Sequence, residues 1–129
     1  MMGGTSSLAA FDFAGLKRAL EASNADVLIG LYAEDAEMTV VDRNRPPSAP
    51  LQLSGRGAIA AFWRDVCARD MTHRVAHEVV GADRAAFVEV CRYPDGCAVM
   101  SAMTLDLRAG LIVKHLTVQA WDEVSRATS

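Results

Sequence analysis

At 129 residues, 51% hydrophobic and 22% charged, the chain has the size of one domain that buries roughly two-thirds of its unfolded surface, and no apolar run approaches the ~20 residues of a membrane span. Its 16 acidic and 13 basic residues give a net charge of -3; they are interspersed, with no Lys/Arg run to track phosphates, which argues against nucleic acid as a partner. Cys67, Cys91 and Cys97 are odd in number and lack metal or redox spacing, so they read as free thiols in a reducing compartment, the cytosol.

Residues 1–10 contain neither the early positive charge nor the apolar stretch of a signal peptide and are expected to be a flexible start. A single domain is expected over residues 11–123, followed by a flexible end at 124–129. Phe13, Leu16, Ala19 and Leu20 recur at helical spacing, with Lys17, Arg18 and Glu21 opposite, which predicts an amphipathic helix from about Phe11 to Ser23. Asn24 is a suitable N-cap for a second helix in which Leu28, Leu31 and Tyr32 share a face, ending at Ala33–Ala36. Tyr32 is read there as a packing residue that also offers a pocket wall. The segment Glu37–Asp42 reads as a short strand with Met38, Val40 and Asp42 on one face, so Asp42 sits at the exit of an apolar row. Arg43–Pro50 carries three prolines, which donate no backbone hydrogen bond, and is expected to be a stiff loop. From Gly55, Ile59, Phe62, Trp63, Val66 and Cys67 follow the spacing of a third amphipathic helix.

After Met71 the pattern changes to period two. Strands are expected over Thr72–Val80, Arg84–Tyr93, Cys97–Leu107 and from Gly110 onward, joined by short turn-rich links that favour antiparallel hairpins. Three helices followed by four such strands imply an α+β domain, with the helices covering one face of a curved antiparallel sheet and a conical pocket between the layers. The last strand organises this arrangement. Leu111, Val113, His115, Thr117, Gln119 and Trp121 form one face, whose polar groups suit a mostly apolar cavity with a few hydrogen-bonding points. Ile112, Leu116, Val118 and Ala120 form the other with Lys114; together with Val88 and Val90 they are expected to be covered by a second copy of the chain.

With this element order, Leu31-Tyr-Ala-Glu-Asp-Ala36, Gly55-Arg-Gly-Ala-Ile-Ala-Ala-Phe-Trp63, Asp95-Gly96 and Gly110-Leu-Ile-Val-Lys-His115 resemble the nuclear transport factor 2-like superfamily, and within it the SnoaL-like polyketide cyclase and steroid isomerase branch. The resemblance covers about residues 11 to 123. It implies the cone-shaped pocket and sheet-mediated dimers, and an activity anywhere among isomerases, cyclases, dehydratases, epoxide hydrolases and proteins without chemistry. The steroid isomerases' aspartate base would fall at Val40, with Asp42 next on that face, and their oxyanion groups near Arg18 and Met103. The His-x-Asp of the cyclases reads His115-Leu116-Thr117 here. Neither activity is carried over residue by residue.

The residues themselves offer Asp42, Glu89 and His115 as catalytic candidates. A histidine titrates near working pH, and Thr117 lies about 6.6 Å along the same face. Glu89 falls between Phe87 and Cys91, and a buried carboxylate must be paired or have its pKa raised. Tyr32, Trp63, Phe87, Met103, Thr117, Gln119 and Trp121 are the candidate substrate contacts, aromatic walls suiting an apolar ring. His73 and His77 are four residues apart on a strand, about 13 Å, too far for one zinc ion, so no metal is expected. No cofactor fingerprint is present. The expected function is a cofactor-free acid/base isomerase, cyclase or dehydratase acting on a small apolar carbonyl or polyketide-like compound; the alternative is a non-catalytic ligand-binding or dimerisation module.

Overall fold

In the computed structural model, which describes residues 10–123, three helices lie on one face of a six-stranded sheet. The expected flexible ends fall outside the described residues, apart from Ala10. Helix α1 spans Phe13–Glu21 and is started by Asp12, whose Oδ1 accepts the Gly15 N–H at 2.8 Å, satisfying one of the donors a helix leaves unpaired at its start. Helix α2 spans Ala25–Gly30 and is capped in the same way by Asn24. Helix α3 spans Arg56–Ala68 and follows Gly55, whose φ of 90° lies in the region only glycine enters freely.

Tyr32 does not belong to α2. Helix α2 ends at Leu31, whose carbonyl accepts the Ile112 N–H at 2.9 Å, and Tyr32 opens a ten-residue strand, β1, Tyr32–Val41. Pairing with the last strand overrides the helical spacing of Leu28, Leu31 and Tyr32. Strand β2, Leu51–Ser54, which the sequence pattern does not announce, pairs antiparallel with β1 after the proline-rich loop. Strands β3 (Thr72–Val80), β4 (Arg84–Arg92), β5 (Ala98–Arg108) and β6 (Leu111–Trp121) follow as successive antiparallel hairpins. The sheet order is β2-β1-β6-β5-β4-β3, and β1 runs parallel to β6, so the sheet is mixed where an antiparallel one was expected.

Three irregularities in register shape the interior. Five steps along β1, Tyr32 to Glu37, face only two along β6, Ile112 to Lys114. On β6 the step from Ile112 to Lys114 faces a single step of β5, which makes Val113 an extra residue. This bulge turns Ile112 inward, where it is fully buried, while Leu116 and Val118 beyond it remain outward. The expected outer face therefore loses Ile112 and keeps Leu116 and Val118, joined by exposed Met100 of β5. A third bulge lies between Ala76 and Val79 on β3, where His77 has a φ of 58°; it re-aims the strand, as bulges do.

Inward-facing residues line up in rows across the sheet. From the closed end outward these are Ala85, Leu105, His115 and Met38; then Phe87, Met103, Thr117 and Val40; then Val75, Glu89, Ser101 and Gln119; then His73, Cys91, Val99 and Trp121. The inner rows pack against Leu16, Leu20, Leu28, Ile59 and Trp63 of the helices. The polar groups are thus stacked along one axis from a filled end to an open one.

Candidate functional site

A cavity of about 90 Å³ opens between α3 and the outer rows of the sheet. Met38 and Val40 of β1 border it, with Asp42 just after that strand; Phe62, Trp63 and Val66 of α3, with Arg69 just after that helix; Glu89 and Cys91 of β4; Met103 of β5; and Thr117, Gln119 and Trp121 of β6. The enclosed volume is smaller than the ≈ 150 Å³ that admits a benzene ring. A ligand larger than that can place only one end inside and must lie with the remainder at the mouth.

The floor is a hydrogen-bonded chain. Trp63 Nε1 lies 3.0 Å from the Tyr32 hydroxyl, that hydroxyl 2.7 Å from His115 Nδ1, and His115 Nε2 2.7 Å from Thr117 Oγ1. Its direction follows from chemistry. An indole N–H can only donate, so Tyr32 accepts from Trp63, and among the described groups His115 Nδ1 is the acceptor within reach of the phenol proton. The imidazole proton then sits on Nε2 and is donated to Thr117, leaving the Thr117 hydroxyl proton for a further acceptor. Thr117 borders the cavity, and His115 and Tyr32 lie behind it. Both are almost wholly buried. Burial lowers the His115 pKa to about 3, so the ring is neutral at working pH. Burial likewise raises the Tyr32 pKa, against the Trp63 hydrogen bond and with a small contribution from the Glu89 charge.

The second polar group is nearer the mouth. His73 faces Cys91 directly across β3 and β4, and Glu89 is two residues before Cys91 on the same face. His73 Nδ1 donates to Glu89 Oε2 at 2.7 Å and lies 3.3 Å from Cys91 Sγ. All three side chains are buried. Burial, reinforced by the Glu89 charge, pushes the Cys91 thiol far above its ordinary value. The partner that a buried Glu89 requires is thus this histidine and not an arginine.

At the mouth, the Asp42 carboxylate accepts the Asn44 N–H at 2.8 Å and lies 3.7 Å from Arg45. Arg43 sits 4.1 Å over the Trp121 ring, which stacks on Tyr93, and Trp121 Nε1 donates to Gln119 Oε1 at 3.0 Å. Arg69 donates to Asp65 at 2.6 Å and to the Tyr93 hydroxyl at 3.2 Å.

Of the candidates read from sequence, the fold brings Asp42, Glu89, Trp63, Met103, Thr117, Gln119 and Trp121 to one cavity. His115, Tyr32 and Phe87 do not border it: the first two are its supporting layer, and Phe87 packs edge-on against Phe13 at 5.4 Å in the core. His73 and His77 are separated, as expected, since His77 is exposed; but His73 has Glu89 and Cys91 as neighbours, which strand spacing alone does not reveal. Arg69 and Tyr93 escape the sequence analysis; an arginine just past the end of a helix and a tyrosine beside a turn carry no signal that sets them apart.

Residues 14–115 match the family model of the SnoaL-like domain. No curated protein matches the chain in sequence. Among solved structures, an NTF2-like protein of unknown function from Mesorhizobium loti superposes with a TM-score of 0.74 at 17% identity, covering 84% of this chain and 87% of its own. A proposed ketosteroid isomerase from Kribbella flavida gives 0.70 at 17%, covering 88% and 77%. IdmH, a proposed polyketide cyclase from Streptomyces antibioticus, gives 0.62 at 26%, covering 83% and 88%. The first two likenesses establish the fold.

Proposed function

The chain belongs to the SnoaL-like family, and from that premise we propose that it holds one end of a small apolar carbonyl compound, of the polyketide or cyclic-ketone kind, and moves a proton on it. The observation that carries this reading is the chain from Trp63 through Tyr32 and His115 to Thr117, which leaves the hydroxyl proton of a cavity-lining residue free for a further acceptor. A donor held by buried partners stabilises negative charge developing on a carbonyl oxygen, because nothing must reorganise when the charge appears. His115 acts through Thr117 and positions it; it is not the proton acceptor. Asp42 is that acceptor. It directly follows the end of β1, beyond Val40, which faces Thr117 in register, and it borders the cavity with a carboxylate already fixed by Asn44 and Arg45. The reaction class is proton transfer beside a carbonyl, as in isomerisation, cyclisation or dehydration.

A thermal-shift screen against apolar ketones, terpenoids and aromatic polyketides comes first. A ligand at 100 times its Kd should stabilise by about 2.7 kcal/mol. With a turned-over ligand, Thr117→Val should lower kcat roughly 10²-fold, the usual loss when one such donor is removed, and Thr117→Ser should retain most of it. Equal turnover by Thr117→Val would eliminate this assignment. The small enclosed volume favours a second reading, a non-catalytic module; silence across the whole panel would favour it over the enzyme.

The outer face supports a homodimer. Met100, Leu116 and Val118 are 54%, 41% and 46% exposed on adjacent strands, with partly buried Val88 and Val90 beside them, and a contiguous apolar surface favours a partner. Sedimentation at micromolar concentration should give a dimer and the Leu116→Lys/Val118→Lys variant a monomer; a monomeric wild type would refute it. The three unbridged cysteines support a reducing compartment such as the cytosol.

A further inference from the structure

The cluster at the mouth suits a role that the proton-transfer reading does not use. Three ligand atoms of different chemistry, His73 Nδ1, Glu89 Oε2 and Cys91 Sγ, converge within 4.8 Å of one another, all on buried side chains. Two alternatives account for them poorly. In a thiol–imidazole–carboxylate relay the thiol and the carboxylate occupy opposite ring nitrogens, so that a proton can pass through the ring. Here both approach Nδ1, and Nε2 is buried without a hydrogen-bond partner among the described residues. As a plain structural pair, His73 and Glu89 would not need a thiol as third neighbour.

We propose that His73, Glu89 and Cys91 form a binding site for one divalent transition-metal ion, zinc being the ion this donor set favours, with a remaining coordination position open to the cavity. The donors exclude the hard ions: imidazole and thiolate suit zinc and its neighbours, whereas magnesium and calcium take oxygen. Three protein ligands with one open position are the arrangement of reactive zinc sites. The openness is geometric, since Glu89 and Cys91 border the cavity while His73 closes the group from β3. Bonds of 2.0 to 2.3 Å in a tetrahedron place ligand atoms ~3.4 Å apart. The present 3.3 Å separation is already close to that and the 2.7 Å one has to open by about 0.7 Å, a movement that side-chain torsions can supply. All three residues stand on paired strands, which hold a first shell more accurately than loops do. Binding must displace the thiol proton, so affinity should rise with pH.

The test reads the metal and not turnover, so its failure is distinguishable from failure of the proton-transfer proposal. The full chain, stripped with chelator, is titrated with cobalt(II) as a spectroscopic probe. One equivalent should produce sulfur-to-cobalt charge-transfer absorption and the strong visible bands of four-coordinate cobalt, and one equivalent of zinc should abolish both. Cys91→Ser should lose the sulfur band; His73→Gln should lose stoichiometric uptake, and serves also if the serine variant does not fold by circular dichroism. His77→Gln, at an exposed position on the same strand, should bind as wild type does. No uptake at one equivalent, a spectrum without the sulfur band, or a band lost in Cys67→Ser and retained in Cys91→Ser would each overturn the proposal.

Discussion

Two buried histidines face the same interior from opposite ends of it, and they are built on opposite principles. His115 has a partner on each ring nitrogen, both neutral hydroxyls, and the bonds continue to Trp63. His73 has a carboxylate and a thiol on one nitrogen and, among the described residues, no hydrogen-bond partner on the other. Burial is nearly equal, at 3% and 7% exposed, so burial does not separate them. What separates them is completeness of hydrogen bonding. A satisfied polar network rigidifies a core, whereas a half-satisfied one is worse than an apolar core and persists only where something else requires it. The inner group is therefore a completed network that can hold Thr117 in place, and the outer group is the one left with unused bonding capacity.

The largest expected effect tests the outer half of that contrast. His73→Ala leaves the Glu89 carboxylate buried without its partner and should destabilise the metal-free protein by about 3 kcal/mol, as when one member of a buried pair is removed. The double variant His73→Leu/Glu89→Leu should recover most of this, because replacing both members by apolar groups is often neutral. Urea unfolding of the three proteins decides it: a double variant as unstable as the single one would mean that the pair is part of the fold after all.

The inner half is tested by acid. The folded-state pKa of His115 is about 3, below the ~6.5 of an exposed histidine, so on acidification the unfolded chain takes up the proton first. Its contribution is complete above pH ~6.5 and is lost progressively toward pH ~3; by pH 4 the loss should be about 3 kcal/mol. His115→Gln should lack that component, and the difference between its stability-versus-pH curve and the wild-type curve isolates it. Parallel curves would show that His115 is not held neutral in the fold. A smaller effect belongs to Tyr32→Phe, which strands the Trp63 N–H and the His115 Nδ1 lone pair together. About 2 kcal/mol is expected by chemical denaturation, in the range for buried groups left unsatisfied; a loss below roughly 0.5 kcal/mol, that of an ordinary surface substitution, would mean that water replaces the hydroxyl.

How far this contrast is legible in the sequence depends on the bulges. Period-two alternation locates β3 to β6 and puts Glu89, His115 and Thr117 on inward faces, because one buried face fixes register strongly. The three helices are legible from their apolar spacing, and the Asn24 cap from its chemistry. Where the chain departs from regular geometry, the pattern misleads. Counted back from the β3–β4 turn, Val80 faces Ala85 and Val79 faces Ala86, and continuing that register sets His73 opposite Arg92; the extra residue between Ala76 and Val79 shifts the pairing by one and brings His73 opposite Cys91. The extra residue at Val113 likewise moves Ile112 from the surface to the core. Tyr32 continues the helical spacing of Leu28 and Leu31, yet it opens β1 because β6 captures the Leu31 carbonyl. A bulge is a tertiary accommodation with no composition of its own, and the pairing of His73 with Cys91 depends on one.

The smallest expected effect is also the one that tests the direction of the inner chain. Tyr32 and Thr117 meet only through His115. Were the two hydrogen bonds independent, the costs of Tyr32→Phe and Thr117→Val would add, as they do for residues that share no partner. The direction derived above makes them dependent. With Tyr32 present, His115 Nδ1 must accept, Nε2 must carry the proton, and Thr117 can only accept from it. In Tyr32→Phe the ring is released from that tautomer, and Thr117 can donate to a bare Nε2, so its hydroxyl turns from the cavity to the histidine. Thr117→Val should then cost a different amount in the Tyr32→Phe background, with a coupling on the order of 1 kcal/mol in a double-mutant cycle. Carbonyl binding should fall in Tyr32→Phe although residue 32 does not border the cavity, because the donor has turned away. Additive costs with unchanged ligand affinity would show that the chain has no fixed direction, and Thr117 would then be a hydroxyl that either tautomer of His115 serves equally well.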